Sequence, residues 1–152
     1  WSFTDDYMEL VKERAYGLGD HTKEQTASAV AALRQALAVL VRLFAPFIPF
    51  AAEEVWSWWQ EGSVHTAAWP KPEELAGSYP ELMDLAGQAL ILIRKSKSDA
   101  KLSMKAEIDL LKLAGPVELS RLNADLKDVG RIHNLELSSA SELAILELTF
   151  SE

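Results

Sequence analysis

The sequence has 152 residues, 49% of them apolar and 25% charged, with a net charge of −8 and no cysteine. That length suffices for one compact domain, or a domain with a small appendage, without disulfide or metal support. The missing cysteines exclude a disulfide framework, a thiolate zinc site and a cysteine nucleophile, and the acidic balance argues against nucleic acid as a partner unless cations cluster locally.

No apolar run looks long enough to span a bilayer, because the longest, around residues 37–52, is interrupted by Arg42, Pro46 and Pro49. Asp5, Asp6 and Glu9 stand where a signal peptide needs positive charge. The chain starts at Trp1, already inside a helical pattern, and reads as a fragment of something longer. A cysteine-free composition is compatible with the reducing cytoplasm, which is the expected location.

Residues 1–18 are expected to form a helix with Met8, Val11, Ala15 and Leu18 on its apolar face, ended by Gly17, Gly19 and Asp20. Thr22 and Gln25 have capping-box spacing and should open a long second helix. Its stripe is Val30, Leu33, Leu37, Leu40, Val41 and Phe44, and Pro46 ends it. Pro49 suits the first turn of a third helix, in which Val55, Trp56 and Trp59 share a face. The Glu53–Glu54 pair at its start is expected to interact with the helix N-terminus. Residues 62–80 form a long ordered connection with Gly62, Pro70, Pro72, Gly77 and Pro80, anchored by Trp69.

A fourth helix is expected over residues 81–105, with a core face of Leu82, Leu85, Ala86, Ala89, Leu90 and Ile93 that fades beyond Ile93. The period then changes. Residues 108–113 read as a buried strand, and Leu119, Leu122, Leu126 and Val129 as a one-faced helix ended by Gly130. Two alternating strands follow, the first carrying His133, Leu135 and Leu137 inward, the second Leu146, Leu148 and Phe150. The expected architecture is mainly α: a four-helix antiparallel bundle over residues 1–105, then a small β-α-β-β subdomain over 106–152, joined by a crossover helix and a hairpin. The bundle core should contain Val11, Leu33, Leu37, Leu40, Phe44, Trp56, Leu85 and Ile93.

The clearest charge feature is a basic stripe. Arg94, Lys97, Lys101 and Lys105 are spaced three, four and four, with Lys95 beside them, so five of the fifteen Lys and Arg fall in twelve residues. Such a row suits a phosphate backbone; a solvated helix end, with cations near its C-terminus, has the same pattern. The run from Lys101 to Lys105 superficially resembles the Lys-Met-Ser-Lys-Ser signature of class I synthetases, but the order is wrong. Trp56 and Trp59 read as core; Trp1 and Trp58 are less constrained and could stack on bases. His21, His65 and His133 fall in separate segments without ligand spacing, so no metal site is expected, and His133 reads as a core histidine. No phosphate loop, nucleophile elbow or zinc-protease helix is present.

The stretch Leu43-Phe44-Ala45-Pro46-Phe47-Ile48-Pro49-Phe50-Ala51-Ala52-Glu53-Glu54-Val55-Trp56 resembles the signature of the anticodon-binding domain of the valyl, isoleucyl and leucyl synthetases. Ser63-Val64-His65 and Trp69-Pro70 resemble the segment after it, and Ile93-Arg94-Lys95 through Lys105 the arginine-containing helix that follows. Asp5-Asp6-Tyr7-Met8-Glu9-Leu10-Val11-Lys12-Glu13-Arg14 favours the valyl form over the isoleucyl and leucyl ones. The resemblance covers about residues 1–105. It implies a helical bundle that helps to position the tRNA anticodon, within a parent enzyme that joins valine to its tRNA with ATP and magnesium. The parent's nucleotide-binding fold and editing domain have no counterpart here, so this chain is expected to position tRNA and not to catalyse.

Valine tRNA and the parent's own catalytic domain are the expected partners, with no membrane. Arg94, Lys95, Lys97, Lys101 and Lys105 are the candidate phosphate contacts, with Lys12, Arg14 and Arg34 in addition. The acidic balance keeps a rival open: a protein-interaction or structural domain that packs on the catalytic domain and touches little RNA.

Overall fold

The computed structural model describes residues 2–19, 21–72 and 79–151, with only the backbone of Ser2. Trp1, Asp20 and Gly77, each assigned a part in the expected elements, lie outside the described residues. The fold is mainly α with a small three-stranded sheet. It divides into two compact units, Trp1–Thr26 with Tyr79–Glu152, and Ala27–Ser78.

The N-terminal helix is broken rather than continuous. A wide π-type turn, Ser2–Tyr7, leads into two short helices, α1 (Met8–Leu10) and α2 (Lys12–Tyr16). They are separated at Val11, whose φ of −94° and ψ of 2° leave the helical region. This break turns Leu10 and Val11 inward together, while Met8 and Leu18 of the expected apolar face are exposed. Gly17 closes α2 in the left-handed conformation at φ 68°.

Helix α3 (Lys23–Phe44) starts as expected. Gln25 N–H donates to Thr22 Oγ1 at 3.2 Å, and Thr22 N–H donates to Gln25 Oε1 at 2.8 Å, a complete capping box. Contrary to expectation, α3 is long and apolar enough to cross a membrane by length and composition alone. Arg34 near its middle would be costly at a bilayer centre. Of its expected stripe, Val41 is buried, Val30, Leu33 and Leu40 are half-buried, and Leu37 and Phe44 are exposed.

Helix α4 (Pro49–Ser57) has Pro49 in its first turn. Val41, Ala45, Ala52, Trp56 and Val64 form the core of the smaller unit, with Val55, Trp59 and Ala67 against it. The Trp56 and Trp59 rings lie 6.1 Å apart. Glu53 does not serve the helix N-terminus: its Oε2 accepts from Ser63 Oγ at 2.9 Å and Val64 N–H at 3.0 Å. It therefore seats the following turn, and buried Val64 takes the anchoring part expected of Trp69, which is exposed.

Helix α5 (Pro80–Asp99) ends six residues before the expected Lys105. Its apolar row, Ala86, Ala89, Leu90 and Ile93, packs with Leu10, Ile108, Leu111, Leu113, Leu119, Leu122, Leu126 and Ile132 as the core of the larger unit. After strand β1 (Ile108–Gly115), a 3₁₀ segment Val117–Leu122 and helix α6 (Asn123–Gly130) bury Leu119, Leu122 and Leu126, as their spacing implies.

Strands β2 (Ile132–Ser139) and β3 (Ala144–Phe150) were expected to pair as a hairpin, but the sheet order is β2-β1-β3. β1 runs parallel to β2, with Ile108 opposite Ile132, and antiparallel to β3, with Ile108 opposite Phe150. The central place goes with burial: with a neighbour on each edge, β1 is the most buried strand, through Ile108, Leu111, Leu113 and Ala114. On one sheet face Lys112 sits between two carboxylates, 2.8 Å from Glu147 and 3.6 Å from Glu136.

Candidate nucleic-acid interface

The expected basic row divides at Lys97. Its side chain is 2% exposed, and its Nζ donates to Gly130 O at 2.8 Å and Met104 O at 3.1 Å. Lys97 follows Ile93 by four residues, so it continues the helical row that faces the core. Burial, reinforced by the charge of Arg131, pushes the Lys97 amine below its usual range. Lys97 is thus unable to meet a phosphate at the surface, a correction to its assignment as a contact.

Lys101 and Lys105 lie beyond the end of α5, on the turn leading to β1, and both are exposed, as is Lys95. The helix ends in a Schellman arrangement: Leu102 N–H donates to Lys97 O at 2.9 Å and Lys101 N–H to Ser98 O at 2.9 Å. Lys101 occupies the left-handed position of that motif, φ 56°, where glycine is usual. Arg94 is half-exposed; its Nη1 donates to Asp6 Oδ1 at 2.9 Å and its Nη2 to Asp5 O at 3.3 Å.

Of the three additional candidates, Lys12 forms an exposed pair with Glu9 at 3.3 Å, a weak tie that leaves it accessible. Arg14 turns inward instead, with Nε 3.3 Å from the buried carboxylate of Asp125. That burial raises the Asp125 carboxyl, while Arg14 and then His21 lower it and Asp128 raises it further. Arg34 is exposed on α3, in the smaller unit.

His133 is exposed rather than inward, 3.1 Å from Glu107, because buried Ile132 takes the inward position at the start of β2. Trp58 is exposed, with its indole N–H donating to Glu54 at 3.3 Å. Among the described residues, no three His, Asp or Glu side chains converge as a metal-binding group. What the exposed cations can do chemically is hold an anionic ligand by charge. Arg131 was missed from sequence. It is exposed at the end of α6 with φ 52°, and the cue was only that it follows Gly130 at a helix terminus.

Residues 1–112 match the family model of the anticodon-binding domain of tRNA ligase. The chain belongs to that family. Its similarity to valine–tRNA ligases runs the length of the sequence. It is 43% identical to the valine–tRNA ligase of Leifsonia xyli subsp. xyli over 100% of this chain. It is 47% identical to that of Thermobifida fusca over 95% of the chain, and 41% identical to that of Salinispora tropica over 98%. It spans only 18%, 17% and 20% of those three relatives respectively. The matched region thus contains the phenylalanine-proline stretch around α4, the whole of α5 and the turn carrying Lys101 and Lys105.

Proposed function

We propose that this chain is the tRNA-positioning region of a cytoplasmic valine–tRNA ligase and takes valine tRNA through its phosphate backbone. The observation that carries the reading is the family match over residues 1–112, which ends just past the exposed cations Lys95, Lys101 and Lys105. These three are the principal contacts. Arg94, Lys12 and Arg34 add to them, whereas Lys97 and Arg14 act inside the fold. Residues 1–105 carry these contacts, and 106–152 are their α/β support. Activation of valine with ATP and magnesium, and transfer to tRNA, belong to a catalytic domain; no residue of this chain is assigned to that chemistry.

Phosphate contacts of this kind set position and affinity and do not read sequence. The test is charge reversal of Lys95 and Lys101 to Glu in a full-length ligase containing this region. The KM for tRNA is expected to rise about tenfold, with valine-dependent ATP–pyrophosphate exchange intact. An unchanged KM overturns the assignment.

A second reading concerns residues 27–78. Phe47 and Phe50 are 79% and 90% exposed, with Ile48 and Phe44 also exposed beside them in the sequence. An apolar cluster of this kind is a protein-docking feature, and the catalytic domain of the same ligase is the proposed partner. Substituting Phe47 and Phe50 by Ser should abolish association with the separately expressed catalytic half. Retained association overturns this second reading.

A further inference from the structure

Among the described residues, two non-glycine residues have a left-handed backbone, and both are basic: Lys101 at φ 56° and Arg131 at φ 52°. Each stands just beyond a helix, Lys101 after α5 and Arg131 after α6. An L-residue with a Cβ is strained there and glycine is not. The two termini are also joined. The one buried ammonium of Lys97 bonds Gly130 O, immediately before Arg131, and Met104 O, between Lys101 and Lys105. Arg131 O in turn accepts from Ile108 N–H at 2.9 Å, which fixes the far end of the same turn.

We propose that Lys97 is a positioning residue that holds Lys101, Lys105 and Arg131 from inside as one cationic corner for an RNA phosphate backbone. This rests on the tRNA-binding reading and deepens it by adding Arg131 and giving buried Lys97 a role. Favourable interaction with the helix C-termini does not by itself account for the pattern. A cation anywhere in the last turn satisfies a helix dipole, and Lys95 and Lys97 already lie near the end of α5 on ordinary helical backbone. Placing Lys101 and Arg131 at the left-handed positions strains the backbone and gains outward-facing charge. Two neighbouring carboxylates are already occupied: Glu107 lies 3.1 Å from His133, and Asp128 lies 2.7 Å from His21. Glu13 shares the shallow groove beside Arg131, and exposed Asp99 precedes Lys101 by two residues; both acids oppose the corner.

The experiment compares the chain with its Lys101→Gly, Arg131→Gly and Lys97→Met variants, measuring thermal stability and binding to a valine tRNA transcript at several salt concentrations. Each glycine variant relieves the backbone and deletes one cation. Its Tm should rise by about 2–4 °C, its affinity should fall about three- to tenfold, and the slope of log affinity against log salt should shrink by about one. Lys97→Met keeps all three surface cations, yet its Tm and its salt slope should both fall. Lys101→Asn and Arg131→Asn, which tolerate the left-handed region, should repeat the loss of binding with little change in Tm. Glycine variants that are more stable but bind tRNA unchanged overturn the corner and remove Lys101 from the contacts, while their retained binding leaves tRNA recognition by the chain standing. A Lys97→Met variant with an unchanged salt slope overturns the positioning role. A parent chain that binds no tRNA at low salt overturns the broader reading and this inference with it.

Discussion

His21 Nε2 lies 2.7 Å from Asp128 Oδ2, across 107 residues of sequence, with the histidine side chain only 2% exposed. The contact ties the loop before α3 to α6 within the larger unit. Its neighbour, the Arg14–Asp125 pair, ties α2 to the same helix. The N-terminal segment is thus held to the C-terminal α/β layer by an ion pair and a histidine–carboxylate contact, as well as by Leu10. The pairwise coupling of His21 and Asp128, measured by urea unfolding of His21→Ala, Asp128→Ala and the double variant, should be about 1–3 kcal/mol. Additive single effects would show that the pair contributes nothing beyond separate packing.

Asp125 gives this network a pH dependence of determinate sign. Burial raises its carboxyl above the usual range, so the folded chain binds that proton more tightly than the unfolded one. Its contribution is therefore fully present below the unfolded-state pKa and is lost as pH rises through the raised, folded-state value. Asp125→Asn cannot ionise. The stability of the parent chain relative to this variant should fall as pH rises through the ordinary carboxyl range and above it. A difference that stays flat, or that grows with pH, overturns the assignment of this proton to Asp125.

In the smaller unit one carboxylate oxygen of Glu53 accepts two donors, Ser63 Oγ and Val64 N–H, and so places Val64 in the core. Glu53→Ala leaves both donors without that acceptor and should destabilise the unit by about 2–3 kcal/mol. Glu53→Gln retains an oxygen acceptor and should cost roughly half as much. Equal losses for the two variants would mean that side-chain packing, not acceptance, is what Glu53 supplies.

Features set by a few adjacent residues were legible in the sequence. The Thr22–Gln25 box and Pro49 in the first turn of α4 follow from local rules and stand as expected. Thr22→Ala, which removes the Oγ1 acceptor of Gln25 N–H, should cost about 0.5–2 kcal/mol in urea unfolding; no loss would show that the box is dispensable. Partnership across the chain was not legible. Alternation identified β2 and β3 as strands but not their separation by β1, because pairing depends on what each strand buries and not on its own period. Lys97 was misplaced for a related reason. Its spacing from Arg94 and Lys101 suggested a basic row, while its spacing from Ile93 put it on the apolar row, and only the carbonyls of Met104 and Gly130 explain how a lysine can be buried there. Arg131 was hidden behind Gly130, which looked like the usual left-handed helix stop.

Gly130 instead lies within α6 and is required by space rather than by its dihedral angles. A Cβ there would stand 2.6 Å from Ile132 Cδ1 and 2.9 Å from Ile132 Cγ1. Ile132 is buried, at 3% exposure, and has little room to withdraw. Gly130→Ala should therefore destabilise the chain by about 1–3 kcal/mol, despite the higher helix propensity of alanine. Because Gly130 O is also the shorter of the two bonds to Lys97, the displacement should reach the turn carrying Lys101. Ile132→Val removes the Cδ1 atom and should restore part of the loss when combined with Gly130→Ala, although alone it costs about 0.5–1.5 kcal/mol. The double variant is thus expected to be more stable than the sum of the two single losses implies. Strict additivity would show that Ile132 is not what excludes a side chain from position 130.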